Sequence, residues 1–170
     1  AQYKDNCYKW RQDSTWLYFF GIDEPRFAAT IDLETGEETI YADDFSIDDI
    51  IWMGPMPSVS SLAARVGVSK TAPYDAMSEA LKGRVVHFVP ASRYATRLKL
   101  AELLGLSPYE VTSDGKKGCA KASRALVEAV VSLRLIKEDV EITALEAACD
   151  LGYSMHTAAR KGIRPGRVEQ

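Results

Sequence analysis

The chain has 170 residues, 46% of them hydrophobic and 26% charged, which is the composition of an ordinary globular protein and not of a disordered or fibrous one. Lysine and arginine total 21 against 24 aspartates and glutamates, so the net charge of -3 offers no basic excess for a phosphate backbone. The longest apolar run, residues 16–22, is far shorter than the roughly 20 residues of a membrane-spanning helix. Composition therefore argues against nucleic acid and membranes as partners.

The cysteines indicate the compartment. Cys7, Cys119 and Cys149 lie far apart and form no C-x-x-C pair, so they predict neither a metal knuckle nor a redox pair. The first residues also lack the charged and apolar regions of a signal peptide. Both observations favour a reducing, cytoplasmic location.

Four segments have the pattern of β-strands. The aromatic run at 16–20 predicts a buried strand, and the segments 27–33 and 38–42 flank Gly36 as the two strands of a hairpin. The β-branched and aromatic residues 85–89, which include His87, predict a strand inside the sheet.

Short helices alternate with these strands. Ser46 is a predicted N-cap for a helix that reaches residue 52, a second helix begins at Ser58, and a third covers residues 74–81. Strands alternating with helices predict an α/β fold in which helices flank a mixed β-sheet.

The rest of the sequence has mainly helical spacing. Helices are predicted over residues 94–105, 122–135 and 137–161. A brief strand is predicted near Val111, and the Asp-Gly-Lys-Lys-Gly stretch at 114–118 is the best candidate for a flexible loop. We therefore predict an α/β domain over residues 1–122 and a helical extension over residues 123–170.

Catalytic motifs are absent from the sequence: there is no P-loop, no G-x-S-x-G and no H-E-x-x-H. His87 and His156 have no carboxylates at ligand spacing, so we predict structural roles for both. Cys119 and Cys149 have small apolar neighbours and no histidine close in sequence, which favours packing over nucleophilic chemistry.

An acidic cluster follows the predicted hairpin. Its members are Asp43, Asp44, Asp48 and Asp49. Such carboxylates either hold a hard cation such as magnesium or manganese, or solvate a loop and complement a helix dipole. The second interpretation is the more common for carboxylates around a turn and a helix start, and we favour it.

The tryptophans differ in their surroundings. Trp10 and Trp16 lie in or beside the apolar strand region, which predicts core positions. Trp52 is followed by the rigid apolar loop 53–57, Met-Gly-Pro-Met-Pro. Such a loop is typical of an interface or a pocket wall, although a tryptophan that caps its own helix fits equally well.

Residues 10–25, W-R-Q-D-S-T-W-L-Y-F-F-G-I-D-E-P, resemble the aromatic-R-Q-x-S-x-F-x-Y-x-x-G-x-x-E-P element in the N-terminal domain of aminopeptidase P, the Xaa-Pro aminopeptidases. Residues 51–54, I-W-M-G, resemble that domain's I-W-x-G element. Residues 134–169 resemble the R-x-x-K…E-I…A…H…R-P-G-x-x-E segment that leads into the catalytic domain of the family.

This resemblance implies the creatinase/aminopeptidase P N-terminal fold, a ribonuclease H-like mixed sheet flanked by helices, followed by helices that begin the pita-bread catalytic domain. In the family, that later domain supplies two aspartates, a histidine and two glutamates that hold two divalent ions, commonly manganese, and these activate the attacking water. None of those ligands maps onto a residue here. The resemblance thus implies that this chain holds no catalytic and no metal-binding residue. It also implies that the longer parent protein hydrolyses the bond before proline.

In the family the N-terminal domain shapes access to the active site and builds the oligomer. Trp52, at the tryptophan of I-W-x-G, is the residue expected to line the substrate entrance or to contact a neighbouring subunit. The expected partners are the protein's own catalytic domain, further copies of itself and, in the longer protein, proline-containing peptides.

Two alternatives remain open from the sequence. One is a non-catalytic protein-binding module, similar to the peptidase-like domain of certain histone chaperones. The other is a self-contained metal enzyme that uses the acidic cluster. Whichever holds, the apolar stripe of the last helix predicts that the isolated chain self-associates.

Overall fold

The computed structural model of the protein describes residues 10–111 and 123–168. In these ranges the elements are α1 (Ser14–Phe20), β1 (Ala28–Ile31), β2 (Glu38–Tyr41), α2 (Ile47–Met53), α3 (Val59–Arg65), β3 (Lys70–Ala72), α4 (Ala76–Leu81), α5 (Tyr94–Leu104), α6 (Arg124–Leu135) and α7 (Asp139–Gly162). The chain divides into two compact units, one up to Ser123 and the other from Arg124. No helix in the described ranges is long and apolar enough to cross a membrane.

The sheet has the order β1-β2-β3. β1 and β2 pair antiparallel as the predicted hairpin, with Ala29 opposite Ile40, and β3 pairs parallel to β2. Gly36 closes the hairpin at φ 73°, and its amide donates to the carbonyl of Asp32 at 2.8 Å. With helices around it, this mixed sheet confirms the predicted α/β fold class.

The main core lies between the sheet and helices α1 and α3. Its buried members are Phe20, Ile22, Ile40, Ala42, Val59, Leu62, Ala63 and Val68. Ile40 is fully buried on the central strand, and Trp16 and Phe27 pack against the cluster from its edge. Helix α2 contributes no buried residue to this core.

The predicted strand at 16–20 is wrong, because these residues form α1. Asp13 caps the helix: its Oδ1 accepts from the amides of Thr15 at 2.8 Å and Trp16 at 3.3 Å. Gly21 ends the helix in the left-handed conformation, at φ 65°. A short, continuous apolar run fits a buried helix as well as a buried strand, and here the cap and the glycine decide for the helix.

The predicted strand at 85–89 is also wrong. Backbone hydrogen bonds in and beside this segment are made to residues outside the sheet. The Phe88 carbonyl accepts from the Ser123 amide, and the Ala91 amide donates to the Val111 carbonyl, both at 3.3 Å. Val85 is 87% exposed, whereas Phe88 is buried with Ala101 in a second, smaller cluster. The segment buries one side against α5 and does not enter the sheet, so its β-branched residues do not make it a strand.

Two smaller differences concern Val111 and β3. Val111 is fully buried in the second cluster, but it lies in a turn and not in the predicted strand.

The strand β3 was not predicted, because three residues are too few to produce an alternating pattern. Its strand conformation comes from pairing with β2, continued by the Ala42 amide donating to the Ala72 carbonyl at 3.1 Å.

The remaining helix predictions agree with α2 to α7, including the single long helix at the end. The predicted flexible loop at 114–118 lies outside the described residues. The assignment of residues 1–122 and 123–170 as separate domains stays a prediction.

Candidate functional site

Helix α2 exposes most of its apolar surface. We call its five large apolar side chains the α2 patch: Ile47, Ile50, Ile51, Trp52 and Met53. Between 41% and 85% of each residue is exposed, with Trp52 the most exposed of the five. A contiguous group of this kind is typical of a contact surface, since single exposed apolar residues are common but clusters are not.

The α2 helix is held by local hydrogen bonds at both ends. At the start, the Asp49 amide donates to Ser46 Oγ at 3.1 Å, and the Ser46 amide donates to Asp49 Oδ2 at 2.9 Å. The Ser46 hydroxyl and amide lower the pKa of Asp49 below its ordinary value by stabilising the carboxylate. At the end, Gly54 at φ 84° donates its amide to the Ile50 carbonyl at 2.8 Å. These caps form the helix without burying any of its side chains.

Trp52 lies in the last turn of α2, with 85% of its surface in solvent. The sequence drew attention to this residue and to the loop after it, but it did not predict that the rest of the helix shares the exposure. A signal was available, because apolar residues at 47, 50, 51, 52 and 53 leave only Asp48 and Asp49 as polar positions. A helix that is apolar on nearly all sides cannot bury them all by packing one face on a core.

Three members of the acidic cluster, Asp43, Asp44 and Asp49, accept hydrogen bonds from backbone amides. Asp44 Oδ1 accepts from the Val59 amide at 2.6 Å, at the first residue of α3. Asp43 Oδ1 accepts from the Tyr74 amide at 3.1 Å, ahead of α4. Asp49 belongs to the cap of α2. These carboxylates serve separate elements, which agrees with the favoured interpretation as helix and loop caps.

No metal site is found in the described part of the chain, where no three histidine, cysteine, aspartate or glutamate side chains are grouped suitably. His87 is exposed in the segment after α4, and His156 and Cys149 are exposed on α7. Exposure of Cys149 does not agree with the packing role predicted for it. Cys7 and Cys119 lie outside the described residues.

The R-Q-x-S…E-P residues hold the start of the domain together. The Gln12 amide donates to Asp23 Oδ1 at 2.7 Å, and Gln12 Nε2 donates to the Glu24 carbonyl at 2.9 Å. Trp16 Nε1 donates to the Ile22 carbonyl at 2.7 Å. These bonds tie the start of α1 to the loop that follows the helix, so the described residues of this motif shape the fold.

The two other tryptophans differ from each other. Trp16 is half-buried, with its ring 4.7 Å from Phe20, and it packs against the main core as predicted. Trp10 is not a core residue: 41% of its surface is exposed, and the guanidinium of Arg93 stacks over its ring at 4.6 Å.

One ion pair joins the hairpin to the segment after α4. Arg84 Nη1 donates to Asp32 Oδ2 at 2.5 Å, while Asp32 Oδ1 accepts from the amides of Glu34 and Thr35. These bonds, led by that from Arg84, lower the pKa of Asp32 from 3.8 to about 2. Asp32 is therefore held in its ionised form by the turn amides and by Arg84.

In this α/β domain the recognisable motif residues build the fold, and the large apolar residues of α2 are exposed. The chain belongs to the family described as aminopeptidase P, N-terminal domain, whose model matches residues 1–87, about half of the chain. The family resemblance seen in residues 10–25 is thereby confirmed.

The similar proteins carry matching names. A probable Xaa-Pro aminopeptidase of Ajellomyces capsulatus strain H143 is 26% identical over 162 residues, covering 91% of this chain and 28% of that protein. Human Xaa-Pro dipeptidase is 22% identical over 164 residues, covering 94% of this chain and 31% of that protein. The chain thus spans less than a third of the length of these two relatives.

A solved structure has the same fold. Aminopeptidase P from E. coli, in its low-pH form, superposes with a TM-score of 0.75 at 21% identity. The match covers 99% of this chain and 40% of the other. At this identity the likeness establishes the architecture and leaves the activity to other arguments.

Proposed function

We propose that the chain is the N-terminal part of an Xaa-Pro aminopeptidase or dipeptidase, which in its full length removes the residue ahead of proline. The family membership and the names of the relatives support this proposal. In it, residues 1–122 form the aminopeptidase P-type N-terminal domain and residues 123–170 lead into the catalytic domain. The relatives are about three times as long as the matched region, which leaves room for that domain.

In this proposal the chain supplies neither catalytic residues nor metal ligands. The described residues do not fit a metal, because no suitable group of ligands is formed and the carboxylates of Asp43 and Asp44 are bound to backbone amides. A pair of divalent ions, manganese in our proposal, is then held by residues of the longer protein that this chain does not contain. The proposed location is the cytoplasm.

The α2 patch is the surface that we assign to oligomer formation and to control of substrate access. The single observation that carries this assignment is the exposure of five large apolar side chains on a helix already capped at both ends. Aromatic and methionine side chains are enriched at the centres of protein interfaces. Within the patch, Trp52 is the residue proposed to contact a neighbouring subunit or the substrate entrance.

The proposed function is tested by hydrolysis of an Xaa-Pro peptide in the presence of manganese, with this chain and its full-length parent assayed side by side. We expect activity in the parent and none in the 170-residue chain. A reversed-order Pro-Xaa peptide is the control for proline specificity.

The second candidate is a protein-binding module without peptidase activity. The exposed α2 patch would serve such a module equally well, and the same assay distinguishes the two candidates. A full-length parent that hydrolyses neither peptide with any divalent ion contradicts the peptidase and favours the binding module. Activity in the 170-residue chain alone contradicts both candidates.

A further inference from the structure

The outer edge of strand β1 is open in the described part of the chain. In the order β1-β2-β3, β1 pairs with β2 on one side only. At the end of β1 the Asp32 amide donates to the Glu37 carbonyl at 2.9 Å, and the direction of such bonds alternates along an antiparallel strand. The amides and carbonyls of Ala29 and Ile31 therefore point away from β2. Among the described residues no hydrogen bond reaches these groups.

Strand β1 also lacks the features that protect an open edge. Charged residues and proline on an edge strand prevent a further strand from pairing with it. The sequence of β1, Ala-Ala-Thr-Ile, contains neither, whereas β3, at the opposite edge, carries Lys70 and is followed by Pro73. We propose that β1 pairs antiparallel with β1 of a second copy, so that two sheets join into one. This inference does not depend on the proposed peptidase function, and it uses a surface other than the α2 patch.

One register satisfies the outward groups of both copies. With a two-fold axis at Ala29, the two Ala29 residues exchange their main-chain hydrogen bonds, and each Ile31 lies opposite Phe27 of the second copy. Ile31 is 45% exposed and Phe27 packs at the edge of the main core, so the pairing covers apolar surface. The contact is isologous, and the protected β3 edge of each copy ends the joined sheet, so the assembly closes as a dimer.

The charges beside β1 indicate a second copy in the antiparallel direction as the occupant. Arg26 precedes the strand and Asp32 follows it. In the register centred on Ala29, each Arg26 comes close to Asp32 of the other copy, whereas parallel strands would bring like charges together. Asp32 also binds Arg84, and its pKa of about 2 keeps it negative at neutral pH.

Hydrogen exchange of single amides, followed by NMR over a range of concentrations of the 170-residue chain, tests the pairing. The Ala29 and Ile31 amides should exchange rapidly in the dilute monomer and at least about tenfold more slowly once the dimer forms. The Thr30 amide faces β2 and is the internal reference, protected at all concentrations. Unchanged exchange at Ala29 and Ile31 at the highest concentration overturns the proposal. Protection of both amides in the dilute monomer also overturns it, because another part of the same chain then occupies the edge.

Proline substitution separates the outer edge from the hairpin. Ala29→Pro removes an amide that points away from β2, so it should weaken the dimer at least about tenfold in sedimentation and leave the hairpin paired. Thr30→Pro removes an amide that faces β2 and should instead lower the melting temperature. Ile31→Lys adds a charge to the edge without restricting the backbone, and it should weaken the dimer as Ala29→Pro does. Association that is equally strong in Ala29→Pro and Ile31→Lys contradicts the edge contact.

Charge reversal tests the register. Arg26→Asp brings a carboxylate near Asp32 of the second copy at both ends of the contact, and aspartate tolerates the left-handed conformation at this position. The dimer should weaken, and raised salt should then strengthen it, whereas raised salt should weaken the dimer of the unmodified chain. Arg65→Asp, at the end of α3, makes the same change of charge away from β1 and is the matched control. An equal loss of affinity in the two variants would show that net charge is the cause and would contradict the register.

Discussion

Arg26 adopts the backbone conformation least suited to its side chain. In the described part of the chain it is the residue other than glycine that has a positive φ, 61°, in the turn that joins α1 to β1. A side chain with a Cβ atom is disfavoured there, because the Cβ approaches the following carbonyl oxygen. The turn keeps this conformation because the Gln12 bonds to Asp23 and Glu24 fix the chain just before it.

We therefore expect Arg26→Gly to raise the free energy of unfolding, measured in urea, by less than about 1 kcal/mol. Glycine relieves the unfavourable φ but also loosens the unfolded chain, so the gain is small. Arg26→Ala removes the same charge and keeps the strain, and it should not stabilise. If both variants gain equally, the cause is the lost charge and not the backbone.

At the scale of elements, the β1–β2 hairpin depends on more than its own turn. Asp32 sits at the end of β1, where its carboxylate binds two turn amides and the guanidinium of Arg84, from beyond α4. The carboxylate accepts all three bonds only when it is ionised, which is why its pKa falls to about 2. Stability from this group is therefore complete above its ordinary pKa of 3.8 and is lost as the pH falls towards 2.

Asp32→Asn should consequently lower the urea midpoint at pH 7, and the difference from the unchanged protein should shrink between pH 4 and pH 2. Asp75→Asn is the matched control, because the Asp75 side chain makes no capping hydrogen bond before α4. Arg84→Gln should remove part of the pH dependence and leave the part due to the two turn amides. An equal loss of stability at all pH values in Asp32→Asn would show that the carboxylate charge is not involved.

At the scale of the whole molecule, two groups of large apolar residues are exposed in the described residues: the α2 patch in the unit up to Ser123, and the apolar residues of α7 in the unit from Arg124. The chain spans 28% and 31% of its two relatives. Both surfaces are therefore suited to contacts with further copies or with the rest of a longer protein.

Trp52→Ala in the full-length parent should lower kcat/KM for an Xaa-Pro peptide about tenfold or more while leaving the melting temperature unchanged. Under the proposed role, loss of the aromatic ring would affect how the substrate is positioned, while a residue 85% exposed in this chain adds little to its folding. Tyr94→Ala removes an exposed aromatic residue outside the α2 patch and should change neither quantity. A large fall in melting temperature with unchanged specific activity would place Trp52 in a structural role.

Local structure was largely predictable from neighbouring residues. The hairpin around Gly36 and the capped start of α2 depend on hydrogen bonds between residues within a few positions of each other. The residues of the R-Q-x-S…E-P element also lie close together in the sequence, and they were sufficient to indicate the family. The sequence also directed attention to Trp52, although its role stays a prediction.

The sequence by itself determined the α/β class, the positions of most helices and the family. Only the tertiary structure decided that residues 85–89 stay outside the sheet, that β3 pairs with β2 and that α2 is exposed. The helix at 16–20 had local signals in Asp13 and Gly21, which the strand prediction from the aromatic run did not use. The physical reason is that caps and turns depend on adjacent side chains, whereas strand pairing and burial depend on segments far apart in the chain. An apolar residue shows that burial is favourable, but the fold determines which apolar residues find a partner.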